Sequence, residues 1–147
     1  MKIPESFRKQ REQCEIDSFS FGLCNIIIFR IEQLEAAQVG YAETKHGDAL
    51  YGKEKGDWQN EWKVIGYEDL CGDPIFIDGS SDQFPVYTAS HGEGTWSHVP
   101  IASSFANFVE ILKLLEQNAK NYSDGVFKAI LNENPDIDIN FWRSILD

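Results

Sequence analysis

The sequence predicts an α+β domain: a largely antiparallel sheet flanked by helices, with a helical C-terminus. Three observations predict it. Between Trp62 and Ala89 the runs "EWKVIG", "PIFID" and "PVYTA" are short, apolar and β-prone, and the turn-forming runs "YEDLCGD" and "GSSDQF" separate them. From Phe105 the period changes, with Phe105, Phe108, Val109, Leu112 and Leu115 forming one apolar stripe at helical spacing. Finally, Ile75 and Ile77 share one face of their strand while Phe76 takes the other, so that strand is covered on both sides.

In chain order, "PESFRKQREQ" reads as a short polar helix with Pro4 where a first turn tolerates proline. Phe21 to Arg30, rich in β-branched and aromatic residues, reads as one buried strand. "RIEQLEAAQ" follows as a short helix with Ile31 and Leu34 on one side, and Tyr41 to Gly56 is polar and glycine-containing, a mobile loop or hairpin. After the three strands, "SHGEGTW" is a loop leading to a last strand near Trp96 to Ile101. Ser103 or Ser104 caps the helix that begins at Phe105. A second helix holds Phe127, Ile130 and Leu131 and stops near Asn134, because the residue before Pro135 is pushed out of the helical region. "DINFWRSILD" closes the chain as a helix whose apolar side is Phe141, Trp142, Ile145 and Leu146.

No repeat, low-complexity tract or linker divides the 147 residues, so residues 1–147 are expected to form one domain, large enough to need no disulfide or metal staple. The opening "MKIPESFRKQREQ" lacks the apolar stretch of a signal peptide, and "IIIF" is far too short to cross a bilayer, so the expectation is a soluble cytoplasmic protein. Cys14, Cys24 and Cys71 are odd in number and have no CxxC spacing, which argues against a disulfide framework or a structural zinc site. Thirteen basic residues against 24 acidic ones leave a formal net charge of −11. Such a surface repels nucleic acid and anionic lipid; it either steers a basic partner or serves solubility alone.

Candidate chemistry is thin. Asp73 and Asp78 bracket "PIFI", but on a regular strand they face opposite sides about 16 Å apart, too far for one metal ion or a glycosidase-type pair. His91, Glu93 and His98 suggest a zinc set only loosely, since their spacing is not that of HExxH. There is no G-x-S-x-G elbow and no G-x-x-x-x-G-K-[ST] loop. Cys71 lies among Glu68, Asp69 and Asp73, which blunt a thiol. The reading is therefore non-enzymatic, with no catalytic residue, cofactor or metal. What remains are turn acids, Glu68, Asp69, Asp73, Asp78, Asp82 and Glu93, with Trp96, Tyr67 and Tyr87 nearby: the residue types of an interface with a basic partner.

An ordered set of motifs resembles the SUKH superfamily, which includes the yeast Smi/Knr cell-wall-synthesis regulator. The set is Pro4 and Phe7 in a PxxF helix, Ile65-Gly66 ending a strand, and Gly72-Asp73 before an apolar strand. Pro85-Val86, the acidic loop at Glu93, and Ala102 to Phe105 opening a helix complete it. The likeness covers most of the chain and is strongest from Trp62 to Leu115; the family's Asn-Gly-Gly turn is absent between Arg11 and Gly22. The resemblance implies a mixed central sheet flanked by helices. It also implies a binding role: bacterial members look like immunity proteins that neutralise polymorphic toxins such as nucleases and deaminases, and eukaryotic members look like regulatory scaffolds. The expected partner is a cognate protein toxin or another basic protein; the alternative is a non-catalytic scaffold with endogenous partners.

Overall fold

A computed structural model describes residues 3–118 and 122–146. The elements are α1 (Glu5–Gln13), β1 (Ser18–Phe21), β2 (Cys24–Ile28), a 3-10 turn (Ile31–Gln33) running into α2 (Leu34–Ala37), β3 (Trp62–Glu68) and β4 (Pro74–Asp78). They continue with β5 (Val86–Thr88), β6 (Val99–Ala102), α3 (Phe105–Gln117), α4 (Asp124–Glu133) and α5 (Ile139–Leu146). The six strands lie side by side in chain order. Every ladder is antiparallel. The one parallel pairing among the described residues is the isolated Val39–Glu43 bridge. The chain is thus α+β with a helical C-terminus, and in place of the mixed sheet that the resemblance implies it has an antiparallel one.

One expected strand divides in two. Phe21 to Arg30 is not continuous: the chain reverses at Gly22-Leu23, so β1 and β2 form a hairpin. Gly22 has φ +69. A positive-φ glycine opening a two-residue loop is the II′ geometry that matches strand twist. Downstream the expected elements stand as read. The Ser104 hydroxyl caps α3, accepting from the Asn107 N–H at 3.0 Å. Helix α4 ends at Asn134, ahead of Pro135.

Both faces of the sheet are buried, by different means. Ile65, Ile75, Ile77 and Val86 meet Phe7 of α1, the α3 stripe of Phe105, Phe108, Leu112 and Leu115, and Trp142 of α5. Phe7 sits edge-on to Phe84 and Phe105, with centroids 5.5 and 4.8 Å away. The opposite face, Trp62, Val64 and Phe76, carries no helix; Ala42 and Trp58 of the long β2–β3 connection close it. Trp58 is 1% exposed, with ring centroids 4.7 Å from Phe76 and 5.3 Å from Trp62. The stretch expected as a loose loop or hairpin therefore holds two isolated bridges and supplies part of the second core.

Two buried polar side chains make this arrangement possible. Strand β2 leaves the sheet after Ile28 while β3 runs on to Trp62, so the backbone of Val64 faces a gap. Gln38 fills it: its Nε2 donates to the Val64 carbonyl and its Oε1 accepts from the Val64 N–H, both at 2.9 Å. At the point where β2 departs, the Arg11 guanidinium, 3% exposed as a residue, donates to the carbonyls of Phe29 at 2.6 Å and Cys14 at 2.8 Å, and to Asp17 at 2.6 Å. Between these points β2 and β3 approach so closely that a Cβ on Gly66 would lie 2.1 Å from the Ile27 carbonyl oxygen.

Replacing Gln38 with leucine keeps the volume and strands two buried backbone groups. Each such group costs about 1–3 kcal/mol, so Gln38→Leu is expected to lower stability by about 2–4 kcal/mol with the denaturant m-value unchanged. Denaturant titration of parent and variant measures this; equal midpoints would show that the Val64 groups find other partners.

Candidate functional site

In an antiparallel meander successive connections alternate ends. The β1–β2 turn, the β3–β4 turn and the β5–β6 loop therefore share one end of the sheet, and the β2–β3 and β4–β5 connections occupy the other. This topology sorts the seven candidate residues. Glu68, Asp69, Asp73 and Glu93 fall on or beside the first-end connections. Asp78 closes β4 and Asp82 lies in the β4–β5 turn, both at the far end. Trp96 belongs to the first-end loop, but its half-buried ring turns onto the second core, edge-on to Trp58 with centroids 5.2 Å apart.

Nor are the first-end acids equivalent. Glu68 is only 4% exposed. Its carboxylate accepts from the backbone N–H groups of Leu70, Cys71 and Asp73, at 2.9 Å for the first and last of these. Glu68 is thus the template on which the β3–β4 turn is wound, not a surface charge, and Gly72 at φ +81 lets the chain close around it. Asp69 is exposed and crosses to the neighbouring hairpin, accepting from the Asn25 N–H at 2.6 Å and the Asn25 amide at 2.8 Å. Asp73 reaches the β5–β6 loop, where its Oδ1 accepts from the His91 N–H at 3.0 Å and lies 2.6 Å from His91 Nδ1. At the far end Asp78 accepts from its own loop, from the Ser80 N–H at 2.9 Å, as a turn-end aspartate does. Asp73 and Asp78 stand at opposite ends of β4.

These acids set the local electrostatics. The Asn25 backbone N–H, then the Asn25 side chain, hold the Asp69 carboxyl below the ordinary aspartate range. Glu68 first, then partial burial and Asp73, push the exposed Cys71 thiol up. Burial, then Glu68 and Asp69, do the same to Cys24. Charge leads for Cys71 and burial leads for Cys24, with the acids of this end adding to both.

Metal ligation meets a geometric obstacle. Glu68, Cys71 and Asp73 bring ligand atoms within 4.8 Å of one another. The two Glu68 oxygens, however, already accept from three N–H groups, the Cys71 N–H being shared between them. An ion would have to compete with these turn hydrogen bonds, and the thiol and one carboxylate that remain are too few for a closed site. His91, Glu93 and His98 do not form such a group among the described residues: His91 lies on Asp73, and the His98 ring packs 5.2 Å from both Trp62 and Tyr87.

The first end also contains a cleft of about 560 Å³ between the β3–β4 turn, the β5–β6 loop and α5. Leu70, Ala89, Val99, Phe141 and Ile145 give it an apolar floor; Asp73, Glu93 and Asp138 reach its walls, and among the described residues no lysine or arginine lines it. A hollow of about 340 Å³ beside α1 and α3 has Lys113 facing Glu15 and Glu110 and no such bias. Leu70, Phe141 and Asp138 do not stand out in the sequence: Leu70 lies inside a turn, Phe141 reads as the apolar side of the last helix, and Asp138 reads as an ordinary residue at its start.

No family model, curated protein or solved structure shows significant similarity to the chain. No helix among the described residues is long and apolar enough to cross a membrane.

Two measurements check the electrostatics. A carboxyl held low by folding stabilises above its unfolded pKa, and that contribution is lost as pH falls through the folded value. Asp69→Asn should therefore be less stable than the parent at neutral pH, with the gap closing in acid; a gap independent of pH would contradict the assigned hydrogen bonds. Cys71, although exposed, should alkylate more slowly at pH 7 than a free cysteine, and Asp73→Asn should speed it. Alkylation as fast as a free thiol would remove the negative potential from this end.

Proposed function

We propose that this protein is a non-catalytic, cytoplasmic immunity protein that binds and neutralises a toxin domain of nuclease or deaminase type through the acidic end of its sheet. The observation that carries the reading is the gathering of Asp73, Glu93 and Asp138, on three connections distant in sequence, around an apolar cleft that no lysine or arginine among the described residues lines, with Asp69 on the same turn as Asp73. With a net charge of −11, that end is suited to a basic protein surface and unsuited to phosphate backbones. The SUKH-like motif order fits this reading and equally a regulatory scaffold, which would bind endogenous partners by the same chemistry.

The mechanism is occlusion. Nuclease and deaminase domains that act on nucleic acid present cationic surfaces to their substrate. An acidic protein docked there competes with the substrate by charge and excludes it by volume. Complementary charge accelerates encounter, and desolvated apolar contacts set the lifetime of the complex.

Co-expression with a nuclease or deaminase toxin domain, sought first in the genes adjacent to this one, is the direct test. The protein should restore growth and co-purify with the toxin; neither protection nor a complex would sink the reading. The association rate should fall about tenfold or more between about 50 and 500 mM salt, measured by stopped-flow. A flat salt profile would remove electrostatic steering from the mechanism.

A further inference from the structure

The most exposed large apolar side chains among the described residues lie at the same end as the acids. Leu23, at the tip of the β1–β2 hairpin, is 93% exposed, and Leu70, in the β3–β4 turn, is 54% exposed. A hollow of about 340 Å³ lined by Phe21, Leu23, Leu70 and Ile145 adjoins the larger cleft, and the two share Leu70, Ser144 and Ile145. Together they form one trough along α5, running from the hairpin tip to the Glu93 loop. Exposed apolar side chains in a continuous patch mark interaction sites, whereas scattered ones do not.

We propose that this trough receives a single extended segment of the partner protein in which apolar side chains alternate with lysine or arginine. This deepens the neutralising role and rests on it. Leu23, Leu70 and Phe141 would seat the apolar side chains, and Asp73, Glu93 and Asp138 would take the cations. Charge complementarity selects this occupant. The trough walls bear carboxylates and, among the described residues, no lysine or arginine. A second copy of this chain, at −11, would bring like charge to the contact, and nucleic acid or anionic lipid would be repelled for the same reason. Glu68 and Asp73, the acids that raise the Cys71 thiol, line this same cleft. Each wall acid is placed by a separate element: Asp73 by the β3–β4 turn, Glu93 by the β5–β6 loop, and Asp138 by the residue preceding α5. Asp138 is held there by its N–H donating to the Pro100 carbonyl at 2.9 Å.

The test has two arms. In the first, a short Lys-Leu alternating peptide is titrated into labelled protein and followed by amide NMR. Shifts should concentrate on Leu23, Leu70, Cys71, Phe141 and Ser144, and should weaken about tenfold in affinity in Leu70→Ser and in Ser144→Arg. Both substituted positions are exposed, and Leu70→Ser introduces no bulk, so a fold failure of one variant leaves the other. Asp82→Lys, at the far end, should leave the shifts in place. Shifts spread evenly over the acidic surface, equal loss in Asp82→Lys, or the same shifts from spermidine alone would overturn the trough. In the second arm the same variants are tested against the toxin domain. Loss of binding in Leu70→Ser and Ser144→Arg with Asp82→Lys intact supports the trough. Toxin binding unaffected by all trough variants overturns the trough while leaving neutralisation standing. An absence of toxin binding to the parent protein would reject neutralisation, and the peptide arm alone would then decide the trough.

Discussion

The pairing of the Gln38 amide with Val64 is the constraint from which the second face of the sheet follows. Strand β3 outruns β2, and a strand that loses its neighbour inside a protein exposes backbone donors and acceptors that must find partners. A carboxamide carries one donor group and one acceptor in a plane and can stand in for one residue of a missing strand. Gln38 does so while being the first residue after α2, which fixes where the long connection begins its path across Val64 and Phe76. From there Ala42 and Trp58 can be laid on the face that no helix covers. Without that anchor Trp62 and Phe76 would form a wet apolar surface beside an unpaired strand, the combination most prone to association.

The same device recurs with charged groups at other places where ladders end. Arg11 gathers the carbonyls left when β2 departs, and Glu68 gathers the N–H groups of the turn that follows β3. In each case an ionised side chain replaces a strand, because charge-assisted hydrogen bonds repay more of the cost of burial than neutral ones. The acid content of the chain thus divides into two populations. Glu68 organises a turn from within, whereas Asp69, Asp73 and Glu93 are carried on turns and remain able to face a partner. Asp69 and Asp73 do both to a degree, since each ties its turn to a neighbour through Asn25 or His91, and this holds the first end of the sheet in one shape.

Periodicity explains which parts were legible in the sequence. "PIFID" announces a doubly covered strand because residue type alternates with face. The α3 stripe and the stop at Asn134 follow equally from local rules. Leu23 was illegible because a leucine between Gly22 and Cys24 continues the apolar run of a strand; only the II′ preference of Gly-X marks it as a turn tip. Trp58 and Gln38 sit in polar surroundings, and their burial is decided by strands outside that stretch: Gln38 by β3, far along the chain, and Trp58 by Phe76 of β4 as well as by nearby Trp62. The candidate acids were all recognisable as turn residues, but strand order alone decides that Asp78 and Asp82 belong to the other end. Glu68 and Asp69 are adjacent and chemically alike, and the pleat sends one inward and the other out.

This division of acids bears on what charge can accomplish for binding. At physiological salt, fields between exposed charges decay over about 8 Å, and β4 alone spans about 16 Å from end to end. Asp78 and Asp82 can therefore help draw a basic protein toward this one but contribute little at the first end once contact is made. Local carboxylates add orientation, yet exposed ion pairs are individually weak, about 0–1 kcal/mol each. Lifetime must come from surface removed from water, and at the first end Leu23, Leu70 and Phe141 are the side chains that offer it. A partner that matched only the charge would arrive quickly and leave quickly. One that also carries apolar side chains between its cations would stay, which is why the apolar trough, more than the net charge, would determine which basic protein is recognised.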